Sequence, residues 1–181
     1  MRSQNRDARL GRAWDAMTSL TAAPLVIGDP LLRRLYQYWD HERGSHPMPT
    51  RGSVDPIKMR YILGHLALID VIPGRKAFRI RLHGTELVSR LGADFTGKTL
   101  DELPLADLRQ HALRWFADVV ERRAPIHEHV DEVVDGFARN FDVLVLPYST
   151  HRTAVDLMLV AVRCQTPVPG RAAGGSGPAN T

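Results

Sequence analysis

Residues 65–103 read HLALIDVIPGRKAFRIRLHGTELVSRLGADFTGKTLDEL, and the rest of the chain is organised around them. Leu66 to Ile72 is an apolar, β-branched run, Pro73-Gly74-Arg75-Lys76 is a turn, and Ala77 to His83 alternates, with Phe78, Ile80 and Leu82 opposed to Arg79, Arg81 and His83. That is strand, turn, strand. Gly84 breaks the alternation, Thr85 can cap a helix carrying Leu87, Val88 and Leu91, and Gly92 sits where a left-handed residue ends it. Gly97 ends the next turn, before Leu100 and Leu103.

Downstream, Pro104 is expected to start the longest helix, with Leu105, Leu108, Ala112, Trp115, Phe116, Val119 and Val120 on one face and Arg122 and Arg123 at its C-terminal end. Pro125 stops it. Three strands are expected next: Ile126 to Val134, Arg139 to Leu146 and Thr153 to Arg163. Asp135-Gly136 is a hairpin signal between the first two, and Tyr148 to Arg152 a looser connection between the last two. From Thr166 the sequence TPVPGRAAGGSGPANT offers nothing to bury and is expected to be a disordered tail.

Upstream, Asp29-Pro30 is a helix start, a cap followed by a proline in the first turn. Leu31, Leu32, Leu35, Tyr38 and Trp39 then recur at helical spacing to about Glu42. Asp55-Pro56 is expected to open a second short helix through Met59, Ile62 and Leu63. Before residue 24, Trp14, Met17 and Leu20 can share a helix face, and Pro24 ends it.

Two strands, short helices, a long helix and three strands make an α+β arrangement: a five-stranded antiparallel sheet with its helices gathered on one side. The two hairpins must meet in one sheet, since neither buries enough alone. LALIDVI and AVDLMLVAV are apolar on both faces, so something also covers the outer face. The Leu31 to Trp39 helix is the available cover, either folded back on its own sheet or lent by a partner.

Phe78, Arg79, Arg81, Leu82, Gly84, Thr85, then Leu91, Gly92, Asp94, Thr96, Gly97 and Asp101-Glu102-Leu103 carry a resemblance. In those residues the chain resembles the small stand-alone PAS-domain proteins of bacteria, whose pattern is F-R-Y-R-L-x-G-T, then L-G-x-D-x-T-G and D-E-L. It departs at Ile80 and His83, both ordinary strand positions. Trp39, Pro49, Asp55-Pro56 and Leu146-Pro147 extend the likeness over roughly residues 30–163. The resemblance implies a PAS-like five-stranded sheet with an N-terminal flanking helix, a flanking helix that takes part in dimers, and a role in sensing or protein contact. The expected organisation is a partly helical arm over 1–28, flanking helices over 29–64, the PAS-like domain over 65–165 and the tail over 166–181.

Composition bounds the alternatives. At 181 residues one core is expected. No apolar run approaches the roughly 20 residues of a membrane helix, and the arginine-dotted start lacks the apolar centre of a secretory signal, so a cytoplasmic protein is expected. The net charge of +4 sits in Arg2, Arg6, Arg9 and Arg12, offset by Asp7, and in Arg171; outside residues 1–12 and the tail, acidic and basic residues balance. A nucleic-acid partner, which needs a basic folded face, is therefore not expected.

Chemistry-bearing residues are sparse. Gly92 to Gly97 lacks the spacing of a phosphate cradle. Cys164 ends the last strand with no patterned partner, and no cysteine sits among the short helices where covalent flavin photochemistry needs one. His111, the histidine of the long helix, falls beside its apolar face, which argues against haem. His127 and His129 share a strand face and could start a zinc site if Asp131 joined them; the commoner reading is a wet strand face. No catalytic residue, metal or cofactor is expected.

What remains is an apolar cavity between sheet and helices, with Phe78, Ile80, Leu82, Leu87, Leu91, Phe95, Trp115, Phe116, Val143, Val145 and Tyr148 as candidate lining and Tyr148 as its polar contact. Leu31, Leu35, Tyr38 and Trp39 are the candidate interface, and a homodimer, another signalling protein and a small-molecule ligand are the expected partners. The first expectation is a non-enzymatic sensor or interaction module. The alternative is a small cavity-bearing enzyme, an isomerase or hydrolase pairing His83 or His111 with a carboxylate.

Overall fold

The computed structural model describes residues 25–73, 77–134 and 137–164. The expected N-terminal arm before residue 25, the C-terminal tail and the Asp135-Gly136 turn lie outside them. In chain order the elements are α1 (Pro30–Arg43), β1 (Leu66–Ile72), β2 (Ala77–His83), α2 (Thr85–Leu91), α3 (Ala106–Arg122), β3 (Ile126–Val134), β4 (Phe137–Tyr148) and β5 (Leu157–Cys164). All five strands join one antiparallel sheet in the order β2-β1-β5-β4-β3. The two hairpins from opposite halves of the chain meet through β1 and β5, where Leu66 faces Ala161 and Asp70 faces Leu157.

The strand register sorts residues between two faces. Ala67, Ile69, Val143, Val145, Val160 and Val162 share the inner face, which α3 covers: Phe116 meets Phe78 edge-on at 5.3 Å and Trp115 meets Phe141 at 6.4 Å. Leu66, Leu68, Leu144, Leu146, Tyr148, Leu157 and Leu159 share the outer face. There α1 lies back on its own sheet, with Leu32, Leu35 and Trp39 buried along one stripe and the indole Nε1 of Trp39 donating to the Pro147 carbonyl at 2.8 Å. The sequence left open whether this helix served its own sheet or a partner's; it serves its own. Leu35 and Trp39, two of the candidate interface residues, are spent inside the protomer, while Leu31 and Tyr38 stay half-buried.

Asp29 fixes where α1 begins and how it sits. Its Oδ1 accepts from the backbone N–H groups of Leu31 and Leu32, and its Oδ2 lies 3.2 Å from Arg163 Nε on β5. Helix cap and sheet anchor are thus one carboxylate. Its pKa is held below the ordinary carboxylate value: burial raises it, and the Leu32 N–H, Arg163 and the Leu31 N–H together outweigh that.

Three expected elements shift. The Asp55 segment is a chain of turns rather than a helix: Asp55 holds the N–H groups of Ile57 and Met59, but the later bonds, Ile62 to Met59 and His65 to Ile62, span three residues. That tighter winding puts Met59 and Ile62, three apart, into the core together. The long helix starts at Ala106, because Leu105 stays extended and Arg109 Nη1 bonds back to the Leu103 carbonyl. β5 starts at Leu157 rather than Thr153, because Asp156 accepts from Thr150 N and donates to the Tyr148 carbonyl, closing the connection as a turn. Among the described residues no helix is long and apolar enough to cross a membrane.

Candidate functional site

Each face of the sheet borders unfilled space: on the outer side an open apolar groove of about 370 Å³ runs past Leu66, Leu68, Leu82 and Leu159. Between the inner face and α2, α3 and the Leu100–Leu105 segment lies an apolar cavity of about 150 Å³. The sheet contributes Ala67, Ile69, Ile80, Phe141, Val143, Val160 and Val162; the helical side contributes Leu87, Leu91, Leu108, Ala112, Trp115 and Phe116. His83, Arg90 and Cys164 bring the few polar groups to its wall.

Local sequence explains the geometry. α2 is only seven residues long and is stopped by Gly92 at φ +76, so the wall turns away after two turns. The N–H of Gly97, at φ +86, donates to the Ile80 carbonyl and the Ile80 N–H donates to the Lys98 carbonyl, tying the loop to the edge of β2. Thr99 and Glu102 form a reciprocal capping box that seats Leu100 and Leu103 in the wall. Gly84, rather than Thr85, is the residue before α2; its φ of −67 is ordinary, and space is what demands glycine. A Cβ there would lie 2.4 Å from the Gly64 carbonyl oxygen and 2.7 Å from those of Leu63 and Leu66.

Of the candidate lining residues, Ile80, Leu87, Leu91, Trp115, Phe116 and Val143 meet around the cavity. Phe78, Phe95 and Val145 are buried nearby without bounding it. Leu82 is misplaced by the simple alternation. The β1–β2 register slips between Leu68 and Ile69, which face Leu82 and Ile80, so Arg81 is an extra residue, a β-bulge. The bulge sends Leu82 to the outer side, where it is 45% exposed. Tyr148 is also on the outer face, fully buried, and its hydroxyl is pushed well above the ordinary phenol value by burial rather than presented to a ligand. Ala67, Ile69, Val160, Val162 and Cys164 were missed, although period-two counting along LALIDVI and LMLVAVRC from Val143's partner Val162 identifies them.

His83 is the polar group best defined here. Its side chain is 5% exposed, and burial lowers its pKa against the opposing pull of Asp94. The Phe95 N–H donates to Nδ1 at 3.5 Å, which leaves the ring proton on Nε2. Asp94 stands 3.9 Å from that same Nδ1 and bonds to the Thr96 hydroxyl and N–H instead, so a His83–Asp94 general-base pair is not assembled. His111 lies outside the cavity wall, tilted on Trp115 at 5.4 Å with Arg114 at 3.5 Å. His127 and His129 both approach Asp142 Oδ1, at 3.5 and 3.1 Å, while Asp131 sits opposite Asn140. Among the described residues no group of three His, Cys, Asp or Glu could hold a metal ion.

The 2-1-5-4-3 antiparallel sheet carries α1 on its outer face and α2, α3 and the apolar cavity on its inner face. The chain belongs to the PAS domain family, whose sequence model matches residues 28–162. Two solved structures are similar in fold. One is a domain of an HTR-like protein from Haloarcula marismortui, at 19% identity and a TM-score of 0.43, covering 56% of this chain and 96% of that one. The other is the PAS domain of Bordetella pertussis BvgS, at 18% identity and a TM-score of 0.46, covering 60% and 85%. A curated relative, the ubiquinone biosynthesis O-methyltransferase of Nitrosococcus oceani, is 28% identical over 112 residues; that stretch is 60% of this chain but 43% of the relative.

Proposed function

We propose that this protein is a non-enzymatic PAS sensor and interaction module whose inner cavity takes a small neutral molecule of single-ring size. The observation that carries the reading is the cavity itself, about 150 Å³ of space lined almost wholly by apolar side chains between sheet and helices. A dry apolar cavity of about that volume admits benzene, whereas drug-sized ligands occupy roughly 300–1,000 Å³. In this shape it has no room for a flavin or a haem.

Trp115 supports a further detail of the ligand. It is 4% exposed, it bounds the cavity, and its indole N–H has no acceptor among the described residues. An unpaired buried donor costs about 1–3 kcal/mol, which an acceptor on the occupant recovers once the indole turns slightly toward it. A ring bearing one carbonyl or ether oxygen is thus favoured over a plain hydrocarbon.

Occupancy would favour one packing of α2 and α3 against the sheet over another, by no more than the ligand's differential affinity for the two. The outer layer carries the result to another signalling protein or a second copy of the chain, in the cytoplasm. Titration with acetophenone and with toluene, followed through the indole N–H signals of a ¹⁵N spectrum, tests this. The signal lost in Trp115→Phe should move downfield with acetophenone and respond weakly to toluene. If no single-ring compound perturbs the cavity residues, the reading fails.

A further inference from the structure

Away from the cavity, the polar side of α1 and the turns over 56–62 enclose an open cleft of about 580 Å³. Arg34, Lys58 and Arg60 bring three cations to it, with Tyr38, Tyr61 and Ile57 between them. The Arg34 guanidinium lies 4.0 Å above the Tyr61 ring and the Lys58 ammonium 5.6 Å from the Tyr38 ring centre.

The contact with the Tyr61 ring engages Arg34 without using its donors. A guanidinium flat on a ring keeps its N–H fork in its own plane, where a carboxylate can meet it edge to edge. Among the described residues neither the Arg34 nor the Arg60 guanidinium has a hydrogen bond or an ion pair. Lys58 is held loosely by Glu42, at 3.5 Å with the lysine side chain 56% exposed. Ile57, 76% exposed, is a large aliphatic side chain set among those charges with nothing covering it.

We infer that this cleft docks an acidic peptide segment of a protein partner, with carboxylates on Arg34 and Arg60 and an apolar side chain against Ile57. The cations come from two separate segments, α1 and the turns, which suits an extended polyanion better than one small anion. Cations already lie over both tyrosine rings, so a nucleobase could stack only by displacing one. The chain's own N-terminal stretch carries Arg2, Arg6, Arg9 and Arg12 and has the wrong sign to fill the cleft. The flanking helix thereby gains an interface on its polar side, opposite the stripe that holds it to the sheet.

The experiment uses the full chain and a fluorescein-labelled heptapeptide, Glu-Asp-Glu-Leu-Asp-Glu-Leu, with its Gln/Asn counterpart as control, read by fluorescence polarisation. Saturable binding of the acidic peptide alone is expected, weakened about tenfold or more by Arg34→Glu or by Arg60→Glu and progressively by salt between about 50 and 200 mM. Ile57→Ser should weaken it by a smaller factor. Both arginines are on the surface, and a circular dichroism spectrum confirms that the variants fold. Binding unchanged by either charge reversal overturns the proposal. So does equal competition by inorganic phosphate, which would mark a simple anion seat, and so does a doubled mass that Arg34→Glu abolishes, which would assign the cleft to a second copy.

Discussion

The two faces of the sheet are built from similar residues and packed to different degrees. On the outer side Trp39, Leu32 and Leu35 of α1 meet Leu144, Leu146, Tyr148 and Leu159 of the strands, all of them at most 2% exposed. On the inner side a longer helix, α3, covers the sheet and leaves the cavity. The usual expectation is that the longer helix makes the better core. Here both helices reach the core, α3 through Ala112, Trp115, Phe116 and Val119, and of the two it is α3 that borders the inner cavity. The difference teaches how packing is divided: α1 is anchored by a tight buried stripe, while the inner helices leave a space beside theirs.

The largest test of that division is Trp39→Ala. It removes a fully packed indole and its bond to the Pro147 carbonyl, and should cost about 3–5 kcal/mol in urea denaturation. A cost below about 1 kcal/mol would break the comparison. A pair of equal insertions sharpens it. Ala161→Val, at a fully buried outer position, should destabilise by about 1–3 kcal/mol, whereas Ala112→Val, on the cavity wall, should be within about 0.5 kcal/mol of neutral or stabilising. Equal costs at both sites would mean that the void is not available space.

The smallest effect is in pH. His65 Nε2 lies 2.9 Å from Arg163 Nη1 on the outer seam, and its pKa is lowered first by burial, then by Arg163; Glu86 and Asp29 pull it up, and Arg90 adds to the lowering. The folded state therefore prefers the neutral ring. As pH falls through the unfolded value near 6.5, the unfolded chain takes up a proton that the folded chain refuses, so stability declines until the folded pKa is passed. Urea midpoints between pH 5 and 8 should show this decline, with His65→Gln removing the outer seam's share and leaving that of His83, which is lowered in the same sense. A slope untouched by His65→Gln would detach the seam from acid sensitivity.

Much of this architecture was legible because the local signals agree with one another. The alternation of Ala77 to His83, the glycine after Leu91 and the proline-led start of α1 each say what the backbone does within a few residues. The cavity lining was legible only where strands are regular. Leu82 could not be placed from pattern, since the bulge at Arg81 is set by how β2 meets β1 and leaves the side-chain alternation looking intact. Tyr148 could have been placed, because it stands an odd number of residues from Val143 and Val145 along one strand. The void itself has no signature in composition. It follows from where a seven-residue helix stops and how far α3 stands from the sheet, which are properties of the whole packing.

The missing side chain at Gly84 has a mechanical meaning. Backbone there rests directly on the carbonyls of Leu63, Gly64 and Leu66, and its N–H is bonded to the last of them at 2.8 Å. No flexible group stands between the root of α2 and the turns beneath the outer face, so there is nothing at that joint to absorb a displacement. A displacement of α2 at its root therefore bears on those three carbonyls with no side chain in between.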